Sequence, residues 1–267
     1  MARFGKRKSL PPKIILVLLI LIFLGFATGL QLPFFKVSQV EVRAANSVCV
    51  DPSIIKNKIG WQEKNIFTDS FSTDTILKQY PCLQNIKIER VFPNKIILIL
   101  EERQSVVILQ TQEISPPVNL ETVLQIASSS ATISGQLLAV DNKGVIFKNV
   151  GQESSQIKLI FLNQKFSVGQ TLPESLISIV LKMRDKLKDF QISVNTLWIF
   201  SKVIVANSPP IIILDFNERS SPMDKKIDIQ LTALQLILQK AKIDNKELKI
   251  IDLRFENPVI KYADNKK

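Results

Sequence analysis

The longest apolar run in the chain lies near its N-terminus, at Ile14–Leu30, and contains no charged residue. It is close to the lower length limit of a membrane-spanning helix, and apolar residues up to Phe35 lengthen it. We therefore expect a transmembrane helix over residues 14–35. A cleaved signal peptide is the alternative, because Ala27-Thr28-Gly29 places small residues at a suitable cleavage position.

The residues that precede this run are basic. Residues 1–13 carry five cations and no acid, namely Arg3, Lys6, Arg7, Lys8 and Lys13. Positive residues beside an apolar span favour a cytoplasmic head, so the bulk of the chain should be extracytoplasmic at the cell membrane. The net charge is +11, and 11 − 5 leaves only +6 for the remaining residues. This mild excess, without an aromatic RNA-binding motif, argues against nucleic-acid binding.

Residues 36–109 show the pattern of a small α+β domain. Apolar and polar residues alternate as in a strand, two short apolar-faced helices follow, and two strands come last around a turn. The predicted elements are a strand at Phe35–Val42, a helix from Asp51-Pro52 to Gly60, a helix from Ser72 to Pro81, and strands at Ile86–Phe92 and Lys95–Glu102. The second of these last strands is apolar on both faces, which predicts a central place in the sheet.

Residues 137–263 show a second mixed pattern, after a proline- and serine-containing linker at 110–136 and before a short tail at 264–267. Asn142 and Gly144 supply turn residues for a hairpin, and Ser221-Pro222 begins a long amphipathic helix. The predicted elements are a hairpin at Leu137–Phe147, a helix capped by Thr171 and Glu174, strands at Leu197–Val205 and Ile211–Phe216, a helix to about Ala241, and a strand at Leu248–Phe255. We expect a mostly antiparallel, curved sheet with helices.

The two cysteines, Cys49 and Cys82, both lie in the first of these domains. Outside the cytoplasm they are able to form a disulfide, and two buried free thiols are the alternative. The chain has no histidine, which removes the commonest zinc ligand and the usual catalytic base. No phosphate-binding loop or metal-ligand cluster is apparent, so we expect no catalytic, cofactor or metal site.

Three segments resemble the FtsQ/DivIB family of bacterial division proteins. In Ile86–Arg103, Arg90 and an aromatic residue precede Pro93-Asn94, and the following strand ends in Glu102-Arg103. The hairpin at Leu137–Phe147 and the terminal segment Ile251–Val259 are similar to later parts of that family. The resemblance implies a POTRA domain (order βααββ) followed by an FtsQ-type β domain. The proline that usually follows Glu-Arg is missing, since Gln104-Ser105-Val106 stands there.

The resemblance also implies a function, that of a single-pass divisome scaffold that helps control septal peptidoglycan synthesis. It implies binding of FtsB/DivIC-like and FtsL-like partners through the terminal strand, together with contact to the lipid bilayer and no small-molecule substrate. Carried over by position, the candidate contacts are Arg254, Phe255, Asn257 and Tyr262. Two alternatives are a POTRA chaperone module of an envelope transport system and an exported enzyme with an unrecognised site.

Overall fold

The computed structural model describes residues 16, 33–44, 49–114, 119–128, 135–151, 156–216 and 223–263. These residues form an α+β protein with two separate units, which divide between Glu102 and Arg103. The first unit holds a three-stranded sheet and the second a nine-stranded sheet.

The fold class expected from the sequence needs a correction at the N-terminus. No helix within the described residues is both long and apolar enough to cross a membrane. Apart from Leu16 and Pro33–Phe35, the segment 14–35 lies outside the described residues, as do residues 1–13 and 264–267. Pro33–Phe35 is a short 3-10 turn, and the carbonyl of Phe35 accepts the N–H of Ile66 at 2.9 Å. Phe35 therefore belongs to the first folded unit and does not extend an apolar span.

The first unit has the order strand, helix, helix, strand, strand. Its elements are β1 (Gln39–Ala44), α1 (Pro52–Lys58), α2 (Asp74–Gln79), β2 (Leu83–Val91) and β3 (Lys95–Glu102). Asp51 caps α1, because its carboxylate accepts the N–H of Ser53 at 2.8 Å, and Pro52 occupies the first helical turn.

Strand β3 is the centre of the first sheet. It pairs in parallel with β1 and antiparallel with β2. Its side chains are buried on both faces, as Ile96, Ile97 and Leu98 show. The apolar run that predicted a central strand is explained by this double burial.

The described residues of the second unit form nine strands and three helices. Its elements are β4 (Val107–Gln112), α3 (Leu120–Ser128), β5 (Leu137–Val140), β6 (Ile146–Asn149), β7 (Lys158–Leu162), α4 (Glu174–Asp189), β8 (Thr196–Phe200), β9 (Val203–Asn207), β10 (Ile211–Asp215), α5 (Met223–Ile243), β11 (Leu248–Asp252) and β12 (Val259–Tyr262). The strand order across the sheet is β12-β11-β10-β9-β8-β7-β4-β5-β6.

The second sheet is mixed. Five neighbouring pairs are antiparallel and three are parallel, namely β4 with β7, β7 with β8 and β10 with β11. Helices α4 and α5 connect parallel strands, because a parallel neighbour requires a crossover connection. They cover one face of the sheet with the larger apolar core, and α3 covers the other face around the buried Trp198.

The region expected to be a linker contributes to the second sheet. Strand β4 lies between β7 and β5, and α3 packs Val123 and Ala127 on Trp198. The first unit therefore ends at Glu102, earlier than the boundary expected at Leu109. The sequence pattern did not separate the two units because β4 follows β3 after only a short connection.

Candidate partner-binding edge

The C-terminal strand β12 forms one edge of the nine-stranded sheet. It pairs antiparallel with β11, through Val259 with Asp252, Ile260 with Ile251, and Tyr262 with Leu248. Within the described part of the chain no strand pairs with its outer side. An edge strand of this kind presents unpaired backbone donors and acceptors to another chain.

The backbone direction of β12 follows from one hydrogen bond. The N–H of Ala263 donates to the carbonyl of Glu247 at 2.9 Å, so Ala263 faces β11. Backbone groups of successive residues point to opposite sides of a strand, so Val259 and Lys261 also face β11. The N–H and C=O groups of Ile260 and Tyr262 consequently point to the open side.

Arg254 lies in the loop between β11 and β12 and is held in place by Asp252. Its Nε atom lies 2.9 Å from Oδ1 of Asp252, and its Nη2 atom lies 2.6 Å from Oδ2. The hydrogen bonds that the guanidinium donates to Asp252 raise the pKa of Arg254 above its usual value. The guanidinium carbon also lies 5.3 Å from the ring centre of Phe255, in cation–π geometry.

The other candidate contact residues are exposed. Phe255 is 55% exposed and Tyr262 44% exposed, while Asn257 is exposed in the loop. The amine of Lys246 lies 5.3 Å from the ring centre of Tyr262. Phe255 and Tyr262 are thus available on the loop and strand of the same edge, next to the open backbone groups of β12.

Helix α5 fixes the end of β11 from inside the core. Nε2 of the buried Gln230 donates to the carbonyl of Leu253 at 2.9 Å, and the N–H of Leu253 donates to the carbonyl of Ile213 at 2.8 Å. The side chains of Ile251 and Leu253 are buried. Leu253 is therefore a core residue, and the exposed binding candidates begin after it.

A cleft of about 390 Å³ lies at one end of the edge. It is lined by the residues before β10, the start of β11 and Ala263, namely Ser208 to Ile211, Glu247 to Lys249 and Ala263.

The four residues that suggested a POTRA domain are in different surroundings. The guanidinium of Arg90 lies 5.3 Å from the ring centre of Phe71, and Pro93 stands in the turn between β2 and β3. Glu102 is the last residue of β3 in the first unit. Arg103 belongs to the second unit, where it pairs with the buried Asp141. The Glu-Arg pair that looked like one signature is thus divided between the two units.

The sequence interpretation missed part of this edge, since it ended the last strand at Phe255. A turn over Arg254–Asn257 separates β11 from β12. The signal was present in Asn257-Pro258, a turn dipeptide, followed by the strand-forming Val259-Ile260.

Among the described residues no group of three or more Cys, Asp and Glu side chains is placed to hold a metal ion.

The structure joins Cys49 and Cys82, whose roles the sequence left open, in a disulfide with a Cα–Cα distance of 6.4 Å. That separation is usual for a disulfide.

Comparison of the sequence with protein-family models gives no match, and comparison with curated proteins gives none either.

Proposed function

We propose that this protein is a non-catalytic scaffold that binds an extended segment of a partner along β12. The partner class is that implied by the FtsQ/DivIB resemblance, an FtsB/DivIC-like protein accompanied by an FtsL-like protein. In this role the chain helps control septal peptidoglycan synthesis in the bacterial divisome. It contributes binding and positioning, and no chemistry of its own.

The observation that carries the proposal is the open side of β12. Ile260 and Tyr262 direct their backbone groups away from β11, and the exposed Phe255 lies in the adjoining loop. Main-chain pairing gives such a site its affinity, and side-chain recesses give it specificity. The opposite edge is different, because the N–H of Ile146 in β6 donates to the carbonyl of Gln170 and its carbonyl accepts the N–H of Gly169.

The proposed location is outside the cytoplasm, at the cell membrane. The disulfide between Cys49 and Cys82 supports this compartment, because disulfides persist in oxidising environments and are rare in the cytosol. The absence of histidine from the whole chain fits a binding role, since it withholds the commonest catalytic base and metal ligand.

The test compares two substitutions of Ile260 in the full chain, co-expressed with the FtsB/DivIC-type protein of the same genome. Ile260→Pro removes the outward N–H and places a ring where an added strand would lie, while the inward bonds of Val259 and Lys261 remain. Ile260→Val keeps the N–H and is the matched control. We expect Ile260→Pro to weaken capture of the partner by at least about tenfold and Ile260→Val to leave it unchanged.

Deletion of β11, β12 and the residues after them is a poorer test than Ile260→Pro, because it also removes Ile251 and Leu253 from the core. The fold of Ile260→Pro is checked through the emission of the buried Trp198. If Ile260→Pro captures the partner as well as Ile260→Val does, the binding site is not this edge. If the unsubstituted chain captures no such partner, the assigned class of partner is wrong.

A further inference from the structure

Four phenylalanine rings form one exposed cluster on the first unit. Phe35 lies between Phe34, Phe67 and Phe92, with ring centres 5.4, 5.4 and 5.5 Å away, and Phe92 also lies 5.9 Å from Phe67. These four residues are called the phenylalanine patch below. Phe34 is 59% exposed, Phe67 47% and Phe92 62%. A contiguous apolar surface of this kind marks an interaction site in a folded protein.

Three separate segments bring the rings together. Phe34 and Phe35 lie in the 3-10 turn before β1, Phe67 lies in the loop after Trp61, and Phe92 lies at the tip of the β2–β3 hairpin. The backbone fixes the first two segments to each other, because Val37 N–H donates to the Lys64 carbonyl at 2.8 Å and Ile66 N–H to the Phe35 carbonyl at 2.9 Å. The patch is therefore part of the folded unit.

The chemistry of the patch is compatible with hydrocarbon. Its rings carry no polar group, so, unlike Tyr and Trp, they leave no hydrogen-bonding group to be satisfied on burial. A lipid acyl region offers no hydrogen-bond partners, and these rings require none.

The charges around the rings also favour a lipid surface. The segments that carry them, residues 33–36, 64–68 and 90–95, contain four cations and no acid, namely Lys36, Lys64, Arg90 and Lys95. Lys36 pairs with Glu63 at 3.2 Å and Lys95 with Glu41 at 2.5 Å. Lys64 and Arg90 lie over the ring of Phe71 instead, at 5.9 and 5.3 Å. Cations beside an apolar surface are attracted by anionic headgroups.

The position of the patch in the chain points to the same occupant. The uncharged stretch Ile14–Leu30 ends only four residues before Phe34. The patch thus follows the most lipid-compatible stretch of the sequence after a connection of about 14 Å at most. We propose that the phenylalanine patch inserts into the outer boundary of a lipid bilayer and holds the first unit against the membrane surface. This proposal does not depend on the partner assigned to β12.

The test uses tryptophan as a depth probe in the full chain, reconstituted into phosphatidylcholine–phosphatidylglycerol vesicles. Phe92→Trp and Phe67→Trp place the probe in the patch, and Phe255→Trp, 55% exposed in the second unit, is the matched control. The natural Trp61 and Trp198 are buried and give a constant background. Each protein is measured with ordinary lipids and with lipids brominated near the headgroup, since an interfacial side chain sits about 5–10 Å into this boundary.

We expect the emission added by Phe92→Trp and Phe67→Trp to shift to the blue and to be mostly quenched by the brominated lipid. The emission added by Phe255→Trp should be unchanged. Equal quenching of all three, or of none, overturns the proposal. A blue shift without quenching also overturns it, because protein then covers the patch, either residues 14–32 of the same chain or another molecule. If Phe67→Trp lowers the unfolding midpoint, it disturbs the fold, and the quenching of Phe92→Trp alone then tests the proposal.

Discussion

Arg103 donates from its guanidinium to Oδ2 of Asp141, and only 3% of the Asp141 side chain is exposed. The other carboxylate oxygen of Asp141 accepts the N–H groups of Lys143 and Val145, at 2.9 and 2.8 Å. One carboxylate thus shapes the β5–β6 turn and fixes the residue that begins the second unit. A buried pair of this kind is costly to break, since one charge is left without its partner.

Replacement of Asp141 by Asn tests the contribution of the negative charge separately from that of the turn hydrogen bonds. The Oδ1 acceptor for Lys143 and Val145 is kept, while an amide replaces the oxygen that faces Arg103. We expect a loss of about 3 kcal/mol in the unfolding free energy of the second unit, because breaking a buried pair costs about 3–5 kcal/mol. Urea unfolding followed through Trp198 in a Trp61→Phe background measures it.

The matched control for Asp141 is Asp185→Asn. Asp185 pairs with Arg184 at 2.8 Å, but its side chain is 65% exposed. An exposed pair contributes less than about 1 kcal/mol. Equal losses in the two variants would show that Arg103 and Asp141 are no more important to the fold than a surface pair.

The disulfide should be the main covalent support of the first unit. Cys49 and Cys82 are 33 residues apart, and closing such a loop in the unfolded chain is worth about 4 kcal/mol in the chain-entropy model. We expect the double variant Cys49→Ala, Cys82→Ala to lose about that much stability. The measurement is urea unfolding followed through Trp61 in a Trp198→Phe background.

A reducing agent supplies the internal comparison for the disulfide. It should lower the unfolding midpoint of the unsubstituted first unit and leave that of the double variant unchanged. If the reducing agent shifts both midpoints or neither, the stability of this unit does not come from the bond.

We expect Glu41 to make the stability of the first unit depend on pH in the acid range. Hydrogen bonds from Arg43, at 2.6 Å, and from Lys95, at 2.5 Å, lower the pKa of Glu41 from 4.5 to about 2. Because the folded pKa lies below the unfolded one, the stabilisation is complete above pH 4.5 and is lost as the pH falls to about 2. Glu41→Gln should therefore be less stable than the parent near neutral pH and equal to it near pH 2.

Urea midpoints of the first unit across this pH range measure the effect of Glu41. Arg43→Gln removes the largest cause of the lowered pKa, so it should move the acid-induced loss of stability to higher pH. If the urea midpoints of Glu41→Gln and the parent differ by the same amount at every pH, the ionisation of Glu41 does not cause the difference in stability.

Phe255 allows the proposed binding at the β12 edge to be tested separately from folding. Its ring is exposed and contacts the guanidinium of Arg254, so Phe255→Ala should change the unfolding free energy by less than about 0.5 kcal/mol. If Phe255 is an anchor for the partner, the same substitution should weaken binding by about 2 kcal/mol. Titration calorimetry with the purified FtsB/DivIC-type partner measures the affinity.

The control for Phe255 is Ile229→Ala on α5. Ile229 is 69% exposed, so its truncation removes exposed apolar surface from a helix and not from β12 or its loop. We expect the partner to bind this variant as it binds the parent. Equal weakening by both substitutions would argue against a specific contact at Phe255.

Local signals in the sequence were sufficient where a short-range interaction decides the structure. Asp51 and Pro52 predicted the beginning of α1, and Pro93-Asn94 predicted the turn between β2 and β3. Gly144 adopts a positive φ of 82° in the β5–β6 turn, which a residue without Cβ adopts freely. Each of these choices is made within a few residues, so the pattern alone reveals it.

Local signals gave a wrong prediction where a contact with a distant segment determines the structure. Thr171 and Glu174 looked like a capping box, but Thr171 forms a β-bridge with Val145, and α4 begins without a side-chain cap. The single strand expected at Leu197–Val205 is two, β8 and β9, with a turn at Ser201, where φ is 53°. A continuous apolar run does not distinguish one long strand from a tight hairpin, because both bury the same residues.

Patterns in the sequence were enough to predict the order of most strands and helices and the double burial of β3. The pairing of Cys49 with Cys82, the pairing of Arg103 with Asp141 and the open edge at β12 became apparent only from the folded structure. The physical reason is distance along the chain. Capping, turns and periodicity depend on neighbours, whereas these pairings depend on which segments the sheets bring together.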